Sequence, residues 1–509
     1  MKLKERVVVG ILSTLVFLTV VLVLNIEVVQ VSQNGGGSPS SLGFLENLVA
    51  PDARSGAMVA FRKRVLQKSL NGSREASDPK SGAGAQPPVL GSPIDPVTNE
   101  IASVDPVVAE DFGDLVNLLV VKGAVDRKLR PVKFTKKKKP NPTVSEVLGF
   151  KARKNATSFE RFHLGISRME MYKEPDSIVD KLLHDMTTDE IVHMEQKDGG
   201  TQLKLMIDYA SGGQAMMKPM RFPRDRETLP DHFYFTDFER HNAEIAAFHL
   251  DRALGFRRTP PVVGRLLNIT TEIYAFAKGE LLKTFFVSPA GNLCFHGKCS
   301  YYCDTSHAIC GHPDMLEGSF AVFLPPKNVV PRKPWRHPWR RSYHKRKKAQ
   351  WEWDDSYCEV VKETPPYDMG RRLLDLVDMA IFDFLMGNMD RHHYETFLVF
   401  GTNDTFPIHL DNGRAFGKAN HDEVSILAPL VQCCQVRQST LITLLRFHQG
   451  ENKLSKVMWK SLNEDPLKPI LLEPHLLALD RRIGIILRTV RECVQEASRT
   501  ELVIVDDGV

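Results

Sequence analysis

An uncharged run of 18 residues, Val7 to Leu24, decides where the rest of this chain folds. A bilayer takes about 20 apolar residues of helix, so the run is just long enough to span one. Lys2, Lys4 and Arg6 precede it, and positive charge stays on the cytosolic side, which places everything after Leu24 in a lumen. Apolar character continues through Val28, Val29 and Val31 without a small-residue cleavage site, so the run reads as an uncleaved signal anchor rather than a removed signal peptide. A chain with this topology folds under oxidising conditions. Its eight cysteines, Cys294, Cys299, Cys303, Cys310, Cys358, Cys433, Cys434 and Cys493, are an even set confined to the C-terminal half and read as disulfides. The rival reading, a zinc site built from the first four, lacks paired C-x2-C knuckles. Asn71, Asn155, Asn268 and Asn403 each begin an Asn-x-Ser/Thr triplet and are candidate glycosylation sites in that compartment.

The 509 residues are 42% hydrophobic and 25% charged, which excludes collagen, a coiled-coil rod and a wholly disordered chain. Net charge is +5, too small to indicate a nucleic-acid binder. Nine basic residues and no acidic one fall between Arg332 and Lys348, so the excess is a single local feature, read as a guide for acidic substrates or as a solvated loop. The expected organisation is a cytosolic tail (1–6), the anchor (7–24), a flexible stem or propeptide (25–143) and a globular domain (144–509). Within the stem, 12 of the 23 residues from Asn71 to Pro93 are Gly, Ser or Pro, a composition that cannot offset its ordering entropy by burial. Apolar patches at Leu42–Val49 and Phe112–Val121 could form local helices, and the Lys136–Lys139 run reads as exposed and open to proteolysis.

In the globular part, Leu203, Leu205 and Ile207 alternate with polar or flexible neighbours, and Ser211-Gly212-Gly213 supplies a turn before Ala215 to Lys218. The pattern predicts a hairpin with Lys204 on one arm and Lys218 on the other. Helical spacing predicts helices over Asp237–Leu254, begun by Glu239, and over Arg371–Met386, stopped by Gly387-Asn388. The loop that follows, Gly387-Asn388-Met389-Asp390-Arg391-His392-His393-Tyr394-Glu395, is dense in protonatable groups. Alternation at Phe406, Ile408 and Leu410 predicts a short strand that delivers Asp411-Asn412-Gly413 into a turn. Two rigid elements thus present two carboxylates, one to orient a hydroxyl and one to hold a divalent metal on a nucleotide. Each part alone has a plainer explanation: Asp-Asn-Gly is usually a turn, and Asp390 with Arg391 reads equally as a surface ion pair. The order strand lysine, helix glutamate, loop aspartate, post-strand aspartate is that of a protein kinase, although the Gly-rich loop, H-R-D and D-F-G motifs are absent.

Gly200–Lys204, Phe238–Arg252, Trp339–Lys348 and Gly387–Phe397 carry a resemblance that covers about Phe159 to the C-terminus. There the chain resembles the secretory-pathway kinases called family with sequence similarity twenty, and within them the Golgi casein kinase branch. The resemblance implies an α/β (α+β) fold, an atypical two-lobed protein-kinase-like domain stapled by disulfides, with a smaller lobe at about 144–320 and a larger one at about 321–509. It further implies that Asp390 is the catalytic base and that Asp411 and Glu239 bind the metal. Gln202, Lys204 and Lys218 would meet the phosphates, Ala321, Val322, Phe323 and Leu324 the adenine, and Glu395 the nucleotide. Manganese is the implied metal, with magnesium the alternative, and ATP the implied cosubstrate. Implied pairings are Cys294–Cys310, Cys299–Cys303, Cys358–Cys433 and Cys434–Cys493. The family contains a protein kinase, a glycosaminoglycan xylosylkinase and a pseudokinase with glutamine in place of Glu239. The acid here favours a working enzyme, and Met389, Thr396 and the basic segment favour the protein kinase. That reading expects phosphoryl transfer from ATP to serines of acidic secretory proteins, in Ser-x-Glu contexts. It also expects a Golgi membrane protein facing the lumen, or one secreted after stem cleavage, which pairs with itself or a related pseudokinase and binds no nucleic acid.

Overall fold

The computed structural model describes residues 110–126, 128–129, 140–230, 232–448 and 450–508. The cytosolic tail, the anchor, Asn71, the patch at Leu42–Val49 and the Lys136–Lys139 run lie outside them. Among the described residues no helix is long and apolar enough to cross a membrane.

Helix α1 (Gly113–Val121) falls within the expected stem, yet it is packed. Phe112, Leu115 and Leu119 are buried in the main core, each burial contributing about 2 kcal/mol. Phe112 meets His448 edge-on at 4.8 Å, and the Arg491 guanidinium lies over its ring at 4.3 Å. Arg491 also reaches Glu110 at 2.6 Å and Asp114 at 2.8 Å. The flexible-stem reading therefore does not extend over 110–129. The sequence offers Phe112–Val121 as a local helix, but the partners it docks on, His448 and Arg491, lie more than 300 residues away.

The smaller lobe is built on helices α2 (Ser158–Gly165) and α3 (Ser177–Thr188) and a five-stranded antiparallel sheet. Its strands are β1 (Ile191–Gln196), β2 (Leu205–Tyr209), β3 (Gln214–Pro219), β4 (Val262–Asn268) and, after a disulfide-bearing insertion, β8 (Met315–Val322). Spatial order is β1-β2-β3-β8-β4. The predicted β2–β3 hairpin is present, and Gly212 takes φ 84° at its turn, where an L side chain would be strained. Lys218 lies in β3 opposite Ser319 of β8, whereas Lys204 directly precedes β2. Helix α4 (His241–Ala253) packs behind the sheet and is buried on every face from His241 to Asp251. It begins later than predicted. Arg240 N–H donates to Gly413 O at 2.6 Å and Glu239 N–H to Gln202 Oε1 at 2.9 Å, so Glu239 is held ahead of the helix, which Arg240 enters in extended backbone.

The insertion is a small sheet of β5 (Phe286–Val287), β6 (Leu293–Phe295) and β7 (Ile309–Cys310), closed by Cys294–Cys310 and Cys299–Cys303. After β8, strand β9 (Arg332–Arg336) pairs with β10 (His393–Phe397) across the larger lobe's front. That lobe is otherwise helical: α5 (Tyr357–Lys362), α6 (Arg372–Met386), α7 (Ala428–Cys433), α8 (Gln438–His448), α9 (Leu454–Leu462) and α10 (Glu473–Glu496). The whole of α6 is buried, and Gly387 ends it at φ 69°. Disulfide Cys358–Cys433 joins α5 to α7, and Cys434–Cys493 joins the next residue to α10. All eight cysteines are thus disulfide-bonded in the implied pairing, which removes the zinc reading. A parallel pair, β11 (Val436–Arg437) and β12 (Ile504–Val505), ties down the C-terminal tail, where buried Arg437 reaches Asp375 and Asp507 at 2.9 and 2.8 Å. The predicted strand at Phe406–Leu410 is reduced to one bridge, Glu395 to Ile408, because the backbone turns sharply at Asp411, φ 61°.

Candidate active site

Five acidic and basic side chains meet between the lobes. Lys218 Nζ lies 2.6 Å from Glu239 Oε2, 2.5 Å from Glu244 Oε1 and 2.7 Å from Asp411 Oδ1. Lys204 Nζ holds the other Asp411 oxygen at 3.0 Å. Burial works to lower the Lys218 ammonium, but Asp411, Glu239 and Glu244 outweigh it and raise it well above its usual value. Burial likewise works to raise Asp411, and the two lysines reverse this, holding the carboxyl far below the usual carboxylate range. Asp411 nevertheless keeps 57% of its side-chain surface open to the space between the lobes.

Sequence pattern alone gives no signal for Glu244. It sits in the first turn of α4, pairs with Lys218 and accepts the Asn412 N–H at 3.0 Å, joining sheet, helix and the Asp411 turn. Gln202 bridges Asp237 O (2.7 Å) and Glu239 N–H (2.9 Å), so its amide positions the Glu239 backbone. Gly413 keeps the centre open: a Cβ there would approach Glu239 Cβ to 3.0 Å and Lys218 Nζ to 3.1 Å.

Below this cluster lies the Asp390 loop. Asn388 Oδ1 accepts the Asp390 N–H at 3.0 Å, and His392 Nδ1 lies 3.0 Å from Asp390 Oδ1. The other Asp390 oxygen pairs with Arg414, whose guanidinium also donates to Thr201 Oγ1 at 3.0 Å. Arg391, read as a possible partner of Asp390, instead grips Asp383 at 2.8 and 2.9 Å and Asn412 Oδ1 at 2.6 Å. It straps the Asp390 loop to the Asp411 turn. Burial, then the charges of His393, Arg340, Arg391 and Arg341, lower His392 to about 4, and its ring stacks on Tyr343 at 4.0 Å.

At the back of the cleft, Ala321 and Val322 end β8. Phe323 N–H donates to Gln214 O at 2.9 Å, and His163 Nε2 lies 2.8 Å from Phe323 O. Leu324 amide has no hydrogen-bond partner among the described residues. Glu395, on β10, pairs with Lys327 at 3.0 Å and Arg332 at 2.9 Å. Asn155 is exposed. Asn268 is half-buried and caps a helical turn through Thr270 and Thr271 N–H, while Asn403 is half-buried.

The donor set suits a hard divalent cation. Glu239 Oε2 is buried and accepts no hydrogen bond although Lys218 is close, and Asp411 offers carboxylate oxygens across the same ammonium. Among the described residues no three His, Cys, Asp or Glu side chains converge to hold a metal by themselves, so phosphate oxygens would complete its shell.

A family profile described as "Golgi casein kinase, C-terminal, Fam20" matches residues 157–502. The Drosophila melanogaster protein named "Extracellular serine/threonine protein CG31145" is 53% identical over 530 residues, covering 97% of this chain and 96% of that one. The human "Extracellular serine/threonine protein kinase FAM20C" is 58% identical over 336 residues, covering 66% of this chain and 57% of its own length. A crystal structure of the Golgi casein kinase with Mn and ADP bound superposes with a TM-score of 0.72 at 44% identity, covering 80% of this chain and 96% of that chain.

Proposed function

The chain belongs to the Fam20 family, and from that membership we propose that it is an ATP- and manganese-dependent serine/threonine protein kinase of the secretory pathway. The observation that carries the reading is the Lys218 cluster, in which Glu239, Glu244 and Asp411 converge on one ammonium beside a strapped catalytic loop. Lys218 and Lys204 would bind the phosphates, and Glu239 and Asp411 would hold the metal. Bound there, the metal would neutralise charge developing on the transferred group. The free Leu324 amide would meet the adenine edge.

Asp390 is the proton acceptor in this reading. As the serine oxygen forms its bond to the γ-phosphorus and the bond to the ADP oxygen breaks, the hydroxyl proton passes to a carboxylate oxygen of Asp390. Arg414 would have to give up that oxygen when substrate enters. Arg391 keeps Asp390 and Asp411 in fixed relation through Asn412, and such positioning supplies much of the rate gain in phosphoryl transfer. Substrates are secretory proteins with acidic residues near the serine, the protein facing the lumen, where its four disulfides are stable.

The test is turnover. Purified lumenal protein with manganese and ATP is expected to phosphorylate an acidic serine peptide, and an Asp390→Asn variant to lose that activity. Labelling of a xylose-bearing linkage oligosaccharide in place of the peptide would overturn the protein-kinase assignment.

A further inference from the structure

The basic segment seen in sequence is not one uniform patch. Arg332 is engaged by Glu395 at 2.9 Å, Lys333 lies over the Trp335 ring at 3.9 Å, and Arg341 donates to Ser425 Oγ at 2.6 Å. Arg336 and Arg340 differ: both are exposed, and neither guanidinium has a carboxylate partner among the described residues. Their position is specific. Arg336 faces His393 across the β9–β10 ribbon, and His337 N–H donates to His392 O at 2.8 Å, so the turn carrying Arg340 is fastened to the Asp390 loop. Burial, then the fields of Arg336 and Arg340, lower the exposed His393, and Arg340 acts on His392 and Tyr343 as well. Two unpaired cations therefore flank the loop that carries Asp390.

We propose that Arg336 and Arg340 form the specificity site that receives a carboxylate side chain of the acceptor peptide, the serine being directed to Asp390. The proposal rests on the protein-kinase reading above and deepens it. Both guanidiniums are exposed beside the Asp390 loop, and an acidic side chain arriving there would form charge-assisted hydrogen bonds with them. Guanidinium geometry suits bidentate capture of a carboxylate. The exposed run Lys345 to Lys348 would act differently, as a diffuse field that speeds encounter and is screened by salt.

The experiment compares two serine peptides that differ by one nearby Glu→Gln change, using the full lumenal protein. Wild type is expected to favour the Glu peptide in kcat/KM. Arg336→Ala/Arg340→Ala should collapse that preference by about tenfold, a charge-pair loss of ordinary size. Arg336→Lys/Arg340→Lys should restore part of it, and Arg336→Glu/Arg340→Glu should shift preference toward a Lys-bearing peptide. Neutralising Lys345 to Lys348 should weaken turnover of the Glu peptide at low salt only. An unchanged Glu-to-Gln ratio in the double alanine variant overturns the proposal. Direct binding of the two peptides, read by fluorescence anisotropy, decides the matter without turnover: if wild type phosphorylates neither peptide the kinase reading fails, while preferential binding that depends on the arginines still upholds the site.

Discussion

Replacing Lys218 by methionine removes the one ammonium on which Glu239, Glu244 and Asp411 converge. The Lys218 and Glu239 side chains are each only 8% exposed, so water screens that pair poorly. At contact distances of 2.5 to 2.7 Å and an effective dielectric of about 20, each pairing is worth about 6 kcal/mol before desolvation. Desolvation of the charges cancels most of this, and losing one partner of a buried pair typically costs about 3–5 kcal/mol because the other charge is stranded. Two buried carboxylates, Glu239 and Glu244, would be stranded together here, while Asp411 would keep Lys204. Equilibrium urea unfolding of metal-free Lys218→Met is therefore expected to show a loss of about 3–5 kcal/mol. Mn2+ without nucleotide should then stabilise the variant more than the wild type, since the metal would supply the missing positive charge. A loss below about 1 kcal/mol, the level of a surface pair, together with an identical Mn2+ response, would refute the account of the cluster.

Three further outcomes follow from single side chains. Asp390→Asn should lower kcat by about 10²–10⁴, the range for removing a general base, while ADP binding measured by calorimetry persists. Gly413→Ala forces a methyl against Glu239 and Lys218, and overpacking of about 1–3 kcal/mol should weaken apparent ATP affinity about tenfold or more in steady-state kinetics. Glu492 is raised to about 7, by burial first and then by Glu496 and Glu110, with Arg488 opposing. A carboxyl raised on folding contributes stability fully present below its unfolded value and lost as pH rises through about 7. Melting temperature should accordingly fall between pH 5 and pH 8, and Glu492→Gln should flatten that decline.

Legibility in the sequence followed how local each determinant was. The β2–β3 hairpin and α6 were readable because alternation, helical spacing and their stop residues lie within one segment. Asp390 and Asp411 were singled out because both follow such elements. Glu244 was not, because a charged residue in the first turn of a helix ordinarily faces water, and only the burial of α4 on every face turns it inward. Helical spacing puts Glu239 on that helix, whereas the bonds of Glu239 N–H to Gln202 and of Arg240 N–H to Gly413, both remote in the chain, hold it ahead of the first turn. The strand at Phe406–Leu410 had the right alternation but meets its neighbour at a single bridge before Asp411 turns away. Docking of α1 was hidden for a related reason: His448 and Arg491, which receive it, are remote in the chain.

The adjacent cysteines at 433 and 434 raise a question of choice during oxidation. The observed bridges close loops with sequence separations of 75 and 59 residues, and exchanging the two partners would lengthen each by only one. Loop-closure entropy varies with the logarithm of length, so chain statistics cannot tell the right pairing from the wrong one. Selection must come from the backbone. Cys434 has φ 49°, a left-handed conformation in which a non-glycine residue is disfavoured, and it follows the last residue of α7. That reversal aims one thiol at α5 and its neighbour at α10. A single strained residue thus acts as a sorting device, trading local comfort for fidelity among pairings that length alone would leave degenerate.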